Sequence, residues 1–190
     1  MKHEFVTGFS GRKWPQVQSE LAEFIALLQA EGVRSYLEIG CLYGDTFHAV
    51  GMALPEGARL VAVDLPGWKH GQPIGRHPHS GEYLKRAGAD LSRRGRKVDV
   101  LLGDSHDVEV VNAVAALGPF DAVLIDGDHT PEGCAEDWRD YGPLGRIVAF
   151  HDIAGIPAVR SVFETARQNR LWREIVAGEP KGGIGIVWNT

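Results

Sequence analysis

Five short runs of consecutive apolar residues recur along the chain: SYLEI at 35–39, RLVAVD at 59–64, VDVLL at 98–102, DAVLID at 121–126 and RIVAFHD at 146–152. Runs that are apolar at successive positions belong to strands covered on both faces, as in a parallel sheet flanked by helices. The stretches between them carry a helical period instead. After Trp14, Pro15 suits a first turn, Val17, Leu21, Phe24, Ile25 and Leu28 form one stripe, and Gly32 can end the helix. Leu84, Ala87 and Leu91 share a second stripe with Ser80 as a candidate N-cap, and Val110, Val111, Val114 and Leu117 a third that Gly118 and Pro119 terminate. Thr130 and Pro131 read as a cap and first-turn proline, with Ala135 and Trp138 facing inward. Pro157 opens a last helix carrying Val159, Val162, Phe163 and Ala166.

LWREIVA and GIGIVWN, separated by GEPKG, read as a closing hairpin. The alternation predicts a single Rossmann-like domain over residues 1–190. It is a three-layer α/β/α sandwich around a mostly parallel seven-stranded sheet with a C-terminal antiparallel hairpin. Residues 1–16 form an N-terminal arm. The longest irregular stretch, 66–79, is expected to be a mobile loop, since long loops in compact domains usually serve a site. Its histidines, His70, His77 and His79, match no helix or strand face, which favours a flexible lid over a metal site.

A net charge of -5 gives no electrostatic grip on nucleic acid or an anionic membrane, and the basic cluster Arg93, Arg94, Arg96 and Lys97 flanks a turn at Gly95 as a solvated surface. No apolar run approaches the roughly 20 residues that span a bilayer, and the first residues lack a secretory apolar stretch. Cys41 and Cys134 alone make neither a disulfide framework nor a zinc site, so a cytoplasmic setting is expected.

Ligands of open parallel sheets bind at the carboxyl ends of the strands. The first such end reads Glu38-Ile39-Gly40-Cys41-Leu42-Tyr43-Gly44, where Gly40 and Gly44 permit a tight turn and close approach of a ligand to backbone. The second ends in Asp64, placed to accept hydrogen bonds from a ribose diol. The third ends in Gly103-Asp104-Ser105, where a carboxylate and a hydroxyl could hold an adenine amino group. A dinucleotide site would show G-x-G-x-x-G, which is absent here. Glu38 before the first glycine would repel a pyrophosphate but suits the ammonium of a methionine moiety. Strand-end capping is the plainer reading of Glu38 and Asp64 taken singly.

The motifs EIGCLYG, VAVD, LLGDS and FDAVLIDGDH resemble, in order, those of class I S-adenosylmethionine-dependent methyltransferases, from Ser35 to the final hairpin. The resemblance implies Glu38, Gly40 and Gly44 around the methionine moiety, Asp64 on the ribose hydroxyls, and Asp104 and Ser105 near the adenine.

The next two strands end in Asp126-Gly127-Asp128-His129 and in His151-Asp152. Parallel neighbours lie ~4.8 Å apart, so these ends can converge on one ion. Carboxylates suit Mg²⁺ or Mn²⁺, and an imidazole tilts the choice toward a transition metal. A divalent cation would lower the pKa of an acceptor oxygen and a histidine could take its proton. Capping of strand ends by Asp126 and Asp152 is the alternative, and Asp128 reads as a turn residue. D-G-D-H followed by a strand ending in H-D resembles a narrower group that includes macrocin-type sugar O-methyltransferases and cephalosporin-hydroxylase-like proteins. That resemblance implies Asp126 and Asp152 as ligands, His151 as the third where the group commonly has an acid, and His129 as the base.

The expected activity is O-methylation of a small hydroxylated acceptor, with a homo-oligomeric partner able to supply a missing wall of the site. A non-catalytic S-adenosylmethionine-binding module and an NAD-dependent oxidoreductase are the alternatives. A nucleic-acid methyltransferase is not expected, because the sequence shows neither an N/D-P-P-Y-like motif nor a basic groove.

Overall fold

The structure is a computed structural model that describes residues 8–12, 16–69, 72–73, 80–178 and 182–189. Helix α1 (Gln18–Ala30) leads into β1 (Ser35–Ile39), α2 (Asp45–Ala53) and β2 (Arg59–Asp64). A two-residue antiparallel pair, β3 (Trp68–Lys69) and β4 (Gln72–Pro73), follows, then α3 (Ser80–Arg93) and β5 (Lys97–Leu102). The chain continues through α4 (Val108–Leu117), β6 (Phe120–Ile125), α5 (Pro131–Tyr141), β7 (Gly145–His151) and α6 (Pro157–Ala166), and closes with β8 (Leu171–Ile175) and β9 (Ile184–Trp188).

The main sheet has seven strands in the order β5-β2-β1-β6-β7-β9-β8. The first five are parallel, and β9 runs antiparallel between β7 and β8. The expected sandwich and terminal hairpin are therefore present. The hairpin docks through its second strand, because β9, buried along most of its length, pairs with both β7 and β8 while β8 keeps its outer edge free in the sheet. Strand boundaries fall within one residue of the apolar runs.

Alternation along each strand feeds two cores, one on each face. Tyr36, Leu60, Ala122 and Ile147 point toward α1, α2 and α3. Leu37, Val61, Val123 and Val148 point the other way, toward α4, α5 and α6 with Tyr141, Phe150 and Phe163. Fully buried side chains of this size each contribute about 1.5–3 kcal/mol of transfer free energy, so the sheet centre is the rigid part on which the strand ends are mounted.

Three local expectations change. Helix α1 begins at Gln18, with Val17 at its N-cap position. Ser80 lies within α3, and its hydroxyl accepts from the Gly67 N–H at 3.4 Å, tying the Pro66–Gly67 turn to that helix. In α5, Thr130 does cap the helix through the Gly133 N–H, but Ala135 faces solvent. The inward face of α5 is Cys134, Asp137, Trp138 and Tyr141, a helical stripe interrupted by a carboxylate. His70, His77 and His79 lie outside the described residues. No described helix is long and apolar enough to cross a membrane.

Candidate active site

The register places the C-terminal ends of β5, β2, β1, β6 and β7 along one edge of the sheet. Two backbone bonds carry the ladder one step beyond the strands, Gly40 N–H to Val63 O and Asp126 N–H to Ile39 O, both 2.9 Å. A cleft of about 620 Å³ opens over this edge, and Glu38, Gly40, Asp64, Asp104, Asp126 and Asp152 all line it.

Gly40 has φ +84, and a Cβ there would lie 2.2 Å from the backbone oxygen of Asp126. The β1 and β6 ends approach so closely that only glycine fits. Gly44, at φ +78, faces Leu84 and Ala87 of α3 and does not line the cleft, so helix packing accounts for it. Glu38 is buried, and burial pushes its carboxyl up to about 8 even though the Tyr36 hydroxyl donates to it at 2.7 Å. Asp64 is also pushed up, to about 7, by burial, against the backbone N–H groups of Leu42 and Cys41. Its Oδ1 accepts from Leu42 N–H at 2.7 Å, while Oδ2 is buried with no hydrogen-bond partner among the described residues. A buried acceptor left open at a cleft wall is a group waiting for a ligand donor.

Asp104 is half exposed and caps its own turn, accepting from the His106 N–H at 3.0 Å. Ser105 does not present a free hydroxyl: its Oγ donates to Asp137 Oδ1 at 2.8 Å. Asp137 is fully buried beneath the loop, and Tyr141, one turn further along α5, donates its hydroxyl to Ser105 O at 2.6 Å. Asp137 and His106 are the residues that the sequence reading missed here.

Asp126, His129, His151 and Asp152 form one cluster. Asp126 Oδ1 lies 3.2 Å from His129 Nε2 and 3.3 Å from His151 Nδ1, and His151 Nδ1 lies 3.3 Å from Asp152 Oδ1. Ligand atoms of Asp126, His129 and Asp152 fall within 4.8 Å of one another. Burial alone would raise Asp126, but the His151 and His129 imidazoles overcompensate and hold it well below the usual carboxylate range. Burial alone would lower His151, and Asp126 and Asp152 together raise it well above the usual range of histidine. His151 lines the cleft and its Nε2 is buried with no hydrogen-bond partner among the described residues, whereas His129 is not among the lining residues. Asp128 Oδ1 accepts from Thr130 N–H at 2.7 Å, the turn expected of it.

Asp152 has φ +65, a conformation that costs a non-glycine residue about 1–2 kcal/mol. The next residues hold it there: Ile153 N–H donates to Gly183 O at 3.2 Å and Ala154 N–H to Gly182 O at 2.8 Å. Residues 182–183 are held in turn by buried Glu20 of α1, which accepts from the N–H groups of Gly183 and Ala177, both at 2.8 Å. Glu20→Ala leaves two backbone donors without their acceptor and should destabilise the protein by about 2–3 kcal/mol in urea unfolding. An unchanged unfolding midpoint would show that this clamp carries no load.

Residues 37–153, more than half of the chain, match a family model described as methyltransferase domain. Among solved structures, an O-methyltransferase from Bacillus cereus in complex with SAH (S-adenosylhomocysteine) is 15% identical, with 91% of this chain and 82% of that chain covered at a TM-score of 0.67. The O-methyltransferase TomG from Streptomyces achromogenes, involved in tomaymycin synthesis and solved with SAM, is 18% identical, with 94% and 82% covered at a TM-score of 0.70. A search of curated proteins found no match. Identities this low establish the common fold, and the family match establishes the rest: the chain belongs to the methyltransferase-domain family and has the class I methyltransferase fold.

Proposed function

We propose that this protein transfers a methyl group from S-adenosylmethionine to a hydroxyl oxygen of a small molecule, assisted by a divalent cation. The observation that carries the reading is one cleft shared by the open Asp64 carboxylate and the Asp126–Asp152 cluster. The methyltransferase family and the two cofactor-bound O-methyltransferase neighbours support it.

The residues fit the cofactor. Asp64 Oδ2 offers the acceptor that a ribose diol needs, Gly40 lets a ligand approach the β1 turn, and Glu38 sets a carboxyl under the methionine end. A cleft of about 620 Å³ is in the range for small ligands and suits a compact acceptor beside the cofactor. S-adenosylmethionine supplies the electrophilic methyl.

The cluster also fits a cation. Asp126, His129 and Asp152 would hold it, and the mixed carboxylate and imidazole set suits Mn²⁺ or a later transition metal better than Mg²⁺. When bound, it would acidify the acceptor hydroxyl. His151 then has the better placement for the proton-accepting role, because it lines the cleft and its buried Nε2 has no hydrogen-bond partner among the described residues, while His129 is not among the lining residues. The two acids alone keep His151 protonated, so a base role for it requires their charge to be engaged by a cation. Cation and base belong to one arrangement.

Calorimetric titration of metal-stripped protein with S-adenosylmethionine and S-adenosylhomocysteine, with and without Mn²⁺ and Mg²⁺, tests the reading. Saturable binding is expected, weakened about ten-fold or more in Asp64→Asn, which loses the charged acceptor. Because Asp64 ionises near 7 and its ionised form is the better acceptor, wild-type affinity should rise as pH rises through about 7. Absence of binding under every metal condition would overturn the proposal. A screen of hydroxylated acceptors for S-adenosylhomocysteine release then separates an enzyme from a binding module.

A further inference from the structure

Asp137 presents a buried carboxylate that fold stability alone does not require, since removing a carboxylate from water costs several kcal/mol unless it is paired and hydrogen-bonded. Its bonds all go to the cleft wall. Oδ1 accepts from Ser105 Oγ at 2.8 Å and faces His106 Nε2 at 3.2 Å, in the loop after β5. Oδ2 accepts from Asp128 N–H at 3.4 Å, in the loop after β6. A single carboxylate from α5 thus ties together two strand-end loops, from strands separated in the sheet by β2 and β1, that both line the cleft.

His106 is the only cationic partner of Asp137 among the described residues. Its Nε2 lies 3.2 Å from Asp137 Oδ1 and 3.2 Å from Gly133 O, and its Nδ1 lies 3.5 Å from Asp104 Oδ1. Both ring nitrogens face oxygen acceptors, an environment that favours the doubly protonated imidazolium. The charged groups around the ring are the carboxylates of Asp104, Glu136 and Asp137; around Asp137 stand Asp128, Cys134 and the Tyr141 hydroxyl.

We propose that Asp137 and His106 form a charge pair that positions the Asp104–His106 wall against the adenosine end of the cofactor, and that this wall keeps its binding shape only while His106 is cationic. The proposal rests on the S-adenosylmethionine reading above. Both residues are positioning residues, acting through the loop backbone and the Ser105 hydroxyl. The hydrogen bond to Asp137 raises His106 to about 9, with burial opposing. Asp64 brings adenosine-end affinity up as pH rises through about 7, and the loss of the His106 charge then lowers it as pH rises through about 9. In Asp137→Asn the ring loses its counter-charge, so the affinity is already low at pH 7.5 and has no alkaline decline left to show.

The test uses two probes on the full chain. S-adenosylhomocysteine at pH 7.5 reports the whole site. 5′-Methylthioadenosine, which has no group that titrates between pH 7.5 and 10, reports the adenosine end across that range. Wild type should lose at least five-fold in methylthioadenosine affinity from pH 7.5 to 10. Asp137→Asn and His106→Gln should each bind S-adenosylhomocysteine at least ten-fold more weakly at pH 7.5 and show no alkaline loss. His106→Gln decides the matter if Asp137→Asn fails to fold. Variants that bind within two-fold of wild type, or that keep the wild-type alkaline loss, would overturn the pair. A wild-type protein that binds neither probe overturns the cofactor reading instead, a different result from a wild type that binds and variants that match it.

Discussion

Asp126→Asn is expected to lower methyl transfer by at least about a hundred-fold and to remove measurable Mn²⁺ binding, on the proposed assignment of the site. Asp126 emerges directly after β6 with one oxygen shared between His129 Nε2 and His151 Nδ1. Removing its charge takes away the strongest carboxylate of the cluster and leaves Asp152 as the only acid among the four residues. The substitution is nearly isosteric, so the fold should persist. Its effect has a readout independent of turnover: without the Asp126 charge the His151 imidazole, now held up chiefly by Asp152, should titrate at lower pH in histidine NMR of the metal-free protein. Turnover and cation affinity both within threefold of wild type would remove Asp126 from the chemistry and leave it as a strand-end cap.

Asp126 was readable because it ends an apolar run, and the same holds for Asp64 and for the His151–Asp152 pair, while Glu38 stands one residue before the end of its own run. A polar residue at the carboxyl end of a buried parallel strand has one place to be, over the sheet edge where ligands sit. The mostly parallel character of the sheet followed from the same runs, since strands buried on both faces belong to a sheet covered by helices, whereas the strand order came from the fold. Asp137, His106 and Glu20 were not readable for the opposite reason. Polar residues in helices and loops usually face water, and α5 in particular offers an ordinary surface composition, PEGCAEDWRDY. Placing Ala135 beside Trp138 on the inner face followed hydropathy, whereas the true face is fixed by Cys134, Trp138 and Tyr141 packing on β6 and β7, which carries Asp137 inward with them. Gly44 shows a related ambiguity. Its place in a strand–turn–helix motif suits ligand approach, but contact with Leu84 and Ala87 needs a partner helix that local sequence does not reveal. The two histidines were not told apart by spacing: only the fold groups His129 with Asp126 and Asp152 and sets His151 among the residues that line the cleft.

Gly40→Ala should be the most damaging single substitution in the cofactor turn, costing about 4 kcal/mol or more. The left-handed backbone at φ +84 alone penalises a Cβ by about 1–2 kcal/mol. The larger part comes from what the Cβ meets: the Asp126 backbone oxygen at 2.2 Å and the Gly127 Cα at 2.5 Å. Neither is a side chain that can rotate away, so relief requires parting the β1 and β6 ends, which are bonded through Asp126 N–H and Ile39 O. Gly57→Ala provides the control, because Gly57 has a similar φ of +80 with nothing within 4 Å of its would-be Cβ. Chemical denaturation of both variants separates the two contributions, and the difference between them measures the close approach alone. A Gly40→Ala cost within about 1 kcal/mol of the Gly57→Ala cost would mean that the strand ends yield easily. A large difference, together with loss of S-adenosylhomocysteine binding in whatever fraction of Gly40→Ala still folds, would mean that the approach of β1 to β6 builds the cofactor turn and sets Asp126 in the cleft at the same time.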